Sequence, residues 1–273
     1  MRLFSSKKRS VHEGPYPMEL LKRGPMPDLK SIPKMEAISF RRPKQPNSIV
    51  NAMCEYQAML DAIRDGFINK ARSEIPNDKI ERSNHFKAFG YFSDAAVVGI
   101  CKLSSNNILD IPIHNPDITP LAEALRTRQT KTLASGIDLI MADLKESMEA
   151  PPTTIKGHTH AIVFLYENPR QIKKSEAGVE WLENALSHRA CLRANETSAV
   201  IANYIRLLGF DAKSHSGAAS DVDLNQLAVS SGLVWVKGNH LVAPYIGANF
   251  GLSAVTCKID LEVDRPLAPV EAQ

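Results

Sequence analysis

Apolar residues along the chain recur with two spacings, and each spacing predicts a different kind of element. From Ser48 to Asn69, Ile49, Met53, Tyr56, Leu60, Ile63 and Phe67 follow one another at steps of three and four, which predicts a helix with Ser48 as its N-cap. A second helix is predicted from near Thr119, where Pro120 suits the first helical position, into ALRTRQ. A third is predicted over SGIDLIMADLKESME, with Ile137, Ile140, Met141 and Leu144 on one stripe, ended by Pro151 and Pro152. Ser175 to Arg206 reads as largely helical. Its continuation, Ser198 to Leu208, aligns Ile201, Tyr204, Ile205 and Leu208, and Gly209 stands where a helix-ending glycine belongs. Asp223 is placed to cap a short helix, LNQLAVSSG, stopped by Gly232.

The strand signals are shorter. AAVVGICKL, the second half of residues 85–103, and AIVFLY, Ala161 to Tyr166, are compact β-rich runs that predict buried strands. FDAKSH, from Phe210, predicts another, followed by a loop SGAASDVD. The closing stretch predicts two or three more, around LVWV, HLVAP and LSAVTCKIDL. Asn106 to Pro120 reads as a turn-rich connection. Helices and strands in unequal alternation with a β-rich end predict α+β, or α/β with a mixed sheet. There is no internal repeat and no low-complexity segment.

Composition changes this picture at one end. Residues 1–46 carry eleven Lys and Arg against four Asp and Glu, a net +7, while the rest of the chain is acidic, and the arm holds seven prolines. Clustered positive charge is the footprint of phosphate binding, so a nucleic-acid or membrane arm is one reading. Interleaved Leu20, Leu21, Met26, Leu29, Ile32, Met35 and Ile38 favour an arm docked on the surface of a domain spanning 47–273, and nucleic acid is not expected as a partner. The cysteines, Cys54, Cys101, Cys191 and Cys257, lie far apart with no CxxC, which argues against a zinc or iron–sulfur cradle and for reduced thiols. Arg41-Arg42 is not followed by an apolar export segment, and no run is long enough to span a bilayer. A soluble, cytoplasmic protein is expected.

Four clusters invite chemistry. His158 and His160, two residues apart, would share a face on a strand, so both could reach one metal, but no third ligand is evident nearby; a polar pair entering a buried strand is expected. His215, Ser216, Asp221 and Asp223 contain the residue types of a hydrolytic triad without a nucleophile elbow, and read as loop and cap chemistry. Gly247 to Gly251 lacks the spacing of a dinucleotide loop and reads as a turn between strands. Lys237 and Lys258 are candidate anion ligands or solubilising charges on terminal strands.

The terminal stretch, SGLVWVKGNHLVAPYIGANFGLSAVTCKIDLEVDRPL, resembles the close of the corrinoid-binding module in cobalamin-dependent reductive dehalogenases and the related epoxyqueuosine reductases. Ser231-Gly232-Leu233-Val234 stands for that family's AGLG turn, Pro244-Tyr245-Ile246-Gly247 for its PEYG-like turn, and Cys257 to Pro266 for its TDLPLEPDKP element. VIANYIRLLGFDA at 200–212, FGYFSDAAVVGICKL, HAIVFLYE and the opening MRLFSSKKRSVHEGPYPMELLKR resemble the family in the same order, the last in its catabolic, self-contained type. The resemblance implies a nitroreductase-like fold: a central, mostly antiparallel sheet flanked by helices, with an extended N-terminal arm.

Departures from the family pattern fall on the loops that would face a corrinoid. Val234 replaces a glycine, Lys237 replaces another, neither Tyr245 nor Ile246 supplies the glutamate of the second turn, and Cys257-Lys258 replaces a threonine–aspartate pair. A β-branched residue where backbone must approach a ligand carries a steric cost. PLAPVEAQ stands where the family continues into a segment with two iron–sulfur motifs. The resemblance therefore implies the degenerate N-terminal half of such an enzyme, with no iron–sulfur cluster and no cobalamin of its own, supporting a cobalamin- and iron–sulfur-containing catalytic half that reduces organohalides, or pairing with a second copy. Should the ancestral site be retained, the chain is instead a stand-alone cobalamin- or flavin-binding oxidoreductase reduced by a separate ferredoxin, with Lys237, Asn239 and Tyr245 as cofactor-binding residues. An RNA-related role through the epoxyqueuosine branch and the basic arm is the third alternative.

Overall fold

The computed structural model describes residues 9–38, 47–127, 154–168, 173–182 and 185–269. Among these are five α-helices and eight strands: α1 Ile49–Ala62, α2 Lys79–Phe92, α3 Ile118–Thr127, α4 Ala185–Leu207 and α5 Leu224–Ser230; β1 Val97–Lys102, β2 Ile108–Ile113, β3 His160–Glu167, β4 Ala212–Ser216, β5 Ser220–Val222, β6 Trp235–Lys237, β7 His240–Val242 and β8 Phe250–Cys257. The helix predicted over SGIDLIMADLKESME lies outside the described residues, as does Arg41-Arg42.

The centre is a four-stranded sheet in the order β1-β3-β8-β4, antiparallel at every junction. AIVFLY is a continuous apolar run because β3 is buried on both faces. Ala161, Val163 and Leu165 face one core with Leu227, Ala228 and Leu233, whereas Ile162, Phe164 and Tyr166 face another with Phe86, Ala194, Ile201 and Ile205. Helices α2 and α4 thus cover one side, and α5 with the chain that follows it covers the other. Gly90 is where α2 presses closest: a Cβ there would sit 2.7 Å from Val98 and 2.9 Å from Phe164. The α+β fold with a central antiparallel sheet flanked by helices matches the sequence expectation.

Several elements differ from their predicted form. Helix α1 starts at Ser48 as expected but ends at Ala62, and its buried face carries Val50, Cys54, Gln57, Ala58 and Asp61. The predicted stripe lies largely on the opposite side, with Ile49, Tyr56 and Ile63 exposed and Phe67, beyond the helix, 84% exposed. The chain after α1 instead binds the end of α4, through Asn69 N–H to the Arg206 carbonyl at 3.0 Å and Ser73 N–H to Leu208 at 2.9 Å. Helix α2, capped by Asp78, was not foreseen. The turn-rich connection holds β2, which pairs with β5 in the stretch read as a loop. Ser175–Arg206 becomes a short 3-10 turn at Val179–Trp181 and then α4.

Of the N-terminal arm, residues 9–38 are described. Tyr16, Met18 and Ile32 enter the core on the α5 side of the sheet. Gly24 N–H donates to the Pro266 carbonyl and Ala268 N–H to Lys22, both at 2.9 Å, so the arm forms a short ladder with the end of the chain.

Candidate functional site

Two regions gather polar groups: a buried network between α1 and β4, and the terminal turns beneath the arm. The first begins at Asp61, on the buried face of α1. Its Oδ1 accepts from Ser216 Oγ at 2.7 Å and Asn195 Nδ2 at 2.8 Å, its Oδ2 accepts from Asn115 Nδ2 at 2.8 Å, and Gln57 Nε2 reaches both oxygens. Burial raises the Asp61 carboxyl above the usual carboxylate range, and the four donors work against that rise.

One turn further on, Arg64 Nη2 donates to Asp221 Oδ2 at 2.7 Å, and Lys213 Nζ reaches the same oxygen at 2.7 Å and Asp65 at 3.4 Å. Lys213 is almost wholly buried on β4, which requires such partners because an isolated buried charge is costly. Next to it a chain of hydrogen bonds runs across the sheet. Asp221 N–H reaches His215 Nδ1 at 3.2 Å; a backbone N–H only donates, so Nδ1 is the acceptor and the ring proton sits on Nε2. Nε2 then meets Thr256 Oγ1 at 2.8 Å, and the Thr256 hydroxyl is left to donate to His158 Nδ1, also at 2.8 Å. His158 Nε2 faces Asp211 Oδ1 at 3.3 Å, and Asp211 pairs with Lys258 at 2.9 Å near the surface. Each ring is held in one neutral tautomer by partners that cannot rearrange independently.

This arrangement does not build a nucleophile. Ser216 and His215 are neighbours on a strand and point to opposite faces. Ser216 Oγ is committed to Asp61 and to the Ala218 and Ala219 amides, while His215 Nδ1 stands 3.9 Å from the Asp221 carboxylate. Asp223 caps α5 through the Asn225 and Gln226 amides and also accepts from Met35 of the arm. His160 hydrogen-bonds Thr159 rather than joining His158, and among the described residues no three His, Cys, Asp or Glu side chains are grouped to hold a metal. Gly247, at φ +91°, closes a tight turn with Ala243, and Gly251 lies within β8.

The network sets a pH dependence. Burial pushes His215 well below the ordinary histidine value, reinforced by Arg64 and Lys213, and lowers His158 against the opposing pull of Asp211. Below about pH 6.5, the ordinary histidine value, the unfolded chain therefore binds protons that these folded rings refuse. Stability then falls as pH drops through that value. Asp61, whose carboxyl burial raises, acts in the opposite sense, one group against the two histidines. A melting temperature lower at pH 5.5 than at pH 7.5 is expected by circular dichroism; an unchanged or higher value would contradict neutral histidines.

The second region holds the three residues that the sequence nominated for a cofactor. Lys237 and Asn239 lie at the exposed tip of the β6–β7 hairpin. Tyr245 belongs to a separate turn, at φ +65°, and stacks on Tyr16 of the arm with ring centroids 5.6 Å apart and planes 4° from parallel. The Ser231–Val234 turn leads into β6. Val234 is buried in the core, and Gly232, at φ +69°, gives its carbonyl to Arg23 Nη1 at 2.9 Å. Arg23 also donates to the carbonyls of Arg265, at 3.0 Å, and Met18, at 3.1 Å. A Cβ at position 232 would lie 2.2 Å from Arg23 Nη1. A cleft of 340 Å³ borders this turn, lined by residues including His12, Lys87, Tyr91 and Asp264.

No protein-family model and no curated protein sequence matches the chain. Solved structures do. A structure of the catabolic reductive dehalogenase NpRdhA aligns over 100% of this chain and 32% of its own, with 29% identity and a TM-score of 0.72. The same enzyme in complex with 3-bromo-4-hydroxybenzoic acid aligns over 99% of this chain and 32% of its own, at 29% identity and a TM-score of 0.71. The chain is reductive-dehalogenase-like throughout its length. The dehalogenase-like module spans about a third of those chains. Epoxyqueuosine reductase from Bacillus subtilis aligns over 70% of this chain and 48% of its own, at 12% identity and a TM-score of 0.39, too distant to bear on function.

Sequence reasoning missed Asp61, Arg64 and Lys213 as members of one network. The available signal was AKSHS, a strand that places Lys213 and His215 on one face with no solvent-facing alternation around them.

Proposed function

We propose that this chain is a supporting module of a reductive-dehalogenase system: it does not itself hold cobalamin, and it acts beside a polypeptide carrying cobalamin and iron–sulfur clusters that reduces organohalides. The observation that carries this reading is the arm over the terminal turn. Where the resemblance calls for open, glycine-lined backbone, Arg23 lies on Gly232 and Tyr16 lies on Tyr245. The bordering cleft of 340 Å³ is at the small end of the ~300–1,000 Å³ that drug-sized ligands occupy, and a corrinoid is larger than these. Lys237 and Asn239, on an exposed hairpin tip, do not converge on it. These features support the reading that the residues present do not fit a corrinoid.

Two observations support a partner. The chain corresponds to 32% of NpRdhA, so a dehalogenase of that kind contains much more than this module. Ile49, Tyr56 and Ile63 form a partly exposed apolar stripe along α1 among the described residues, and such a stripe is a common mark of an interface. Isolated cysteines support a reducing compartment, hence the cytoplasm. Among the described residues no helix is long and apolar enough to cross a membrane.

The test is spectroscopic. Protein incubated with excess hydroxocobalamin and then desalted is expected to show no corrinoid band in the ultraviolet–visible spectrum. Retention near one equivalent would overturn the proposal in favour of a cofactor-binding oxidoreductase.

A further inference from the structure

A second cavity, of 220 Å³, lies on the other side of the sheet, where the segment before α2, α2 itself and the end of α4 meet. Its walls combine aromatic and aliphatic side chains with three ionisable ones, Glu74, Arg82 and His85. Phe86 and Phe89 come from α2, Tyr204 and Leu208 from the end of α4, and Phe89 packs edge-on against Tyr204 with centroids 5.3 Å apart. Arg82 stands on the same face of α2, four residues before Phe86 and seven before Phe89, and so lines the same cavity. Its Nε is buried with no hydrogen-bond partner, and its Nη2 reaches only the Asn77 carbonyl, at 3.5 Å. A buried donor without a partner calls for an acceptor.

We propose that this cavity binds a small monocyclic carboxylate, with its ring against Phe86, Phe89 and Leu208 and its carboxylate on the Nε edge of Arg82. The guanidinium fork matches a carboxylate in a way that a neutral acceptor does not. A cavity of about 150 Å³ holds benzene, so 220 Å³ has room for one ring and a carboxylate. Charge sets the number of acid groups. Glu74 also lines the cavity, and a second negative charge on the ligand would meet it. The proposal is independent of the reading of the terminal turn, since none of these residues belongs to it.

Isothermal titration of the intact protein with benzoate tests the idea, with benzamide as the neutral isostere and acetate as the carboxylate without a ring. Saturable benzoate binding is expected, weakened about tenfold or more in Arg82→Gln, as loss of a charge-assisted pair requires, with benzamide and acetate both weaker than benzoate. Leu208→Phe, which fills the cavity from the opposite wall and leaves Arg82 in place, is expected to abolish benzoate binding while the circular dichroism spectrum stays native. The proposal fails if benzoate does not saturate, if benzamide binds as well as benzoate, or if either folded variant binds benzoate like the parent.

Discussion

Replacing Asp221 with alanine is expected to lower the stability of the protein by about 3–5 kcal/mol, the cost of leaving a buried ion pair with one partner missing. Asp221 Oδ2 is the shared acceptor for Arg64 and Lys213, both at 2.7 Å, and both cations are buried. Without it Lys213 keeps Asp65 at 3.4 Å, while Arg64 loses its 2.7 Å carboxylate contact. The measurement is urea denaturation followed by circular dichroism. A fall in the midpoint with an unchanged slope is the expected form, since the native state loses a partner without changing the surface exposed on unfolding. Lys258→Ala is the control. Its bond to Asp211 lies nearer solvent, and partly exposed pairs contribute about 0–1 kcal/mol. Equal losses in the two variants would refute a special role for the buried cluster.

Arg23→Ala is expected to cost about 3 kcal/mol, because charge-assisted hydrogen bonds contribute about 1.5–3 kcal/mol each where buried and these three share one half-buried guanidinium. The carbonyls of Gly232, Arg265 and Met18 all lose their donor at once. Since those groups tie the arm to the terminal turn, proteolysis within residues 9–38 should quicken in the variant more than cleavage elsewhere. Gly232→Ala should give the same phenotype by a different route, because its Cβ would collide with Arg23 and with the Arg265 carbonyl at 2.3 Å. Parent-like stability and parent-like cleavage in Arg23→Ala would show that the arm is held by something other than this side chain.

How much of this was legible in the sequence depended on whether burial left a hydrophobic trace. AIVFLY was readable as a strand because β3 is covered on both faces and has no polar side to interrupt it. Ile201 and Ile205 were readable on α4 for the same reason. In α1 the trace misled: its buried face includes Gln57 and Asp61, joined to each other and to their neighbours by hydrogen bonds rather than by apolar contact, so the apolar period picked out the exposed side. Helix α2 escaped because KIERSNHFKAFGYF buries only Ser83, Phe86 and Gly90. Strand β2, ILDIPI, carries Pro112 and pairs irregularly with β5, so neither alternation nor a clean run marked it. The polar network was the hardest to see. Its members come from α1 and the residues after it, the turns before α3, β3 and β4, α4, β4, β5 and β8, and only the antiparallel pairing of β4 with β8 brings His215 to Thr256. The family resemblance was readable from the terminal stretch, whereas the cover that Arg23 and Tyr16 lay over it was not, because those contacts span more than two hundred positions of chain.

The closure of the terminal turn by the arm can be measured directly by amide hydrogen exchange at Gly24 and Ala268, the two donors of the ladder between arm and chain end. Protection at both amides that persists in native protein, and is lost together in Arg23→Ala, is the expected result. Exchange at the rate of an unstructured peptide in the parent would mean that the arm is not held there, and that the turn at Gly232 is open to a ligand after all.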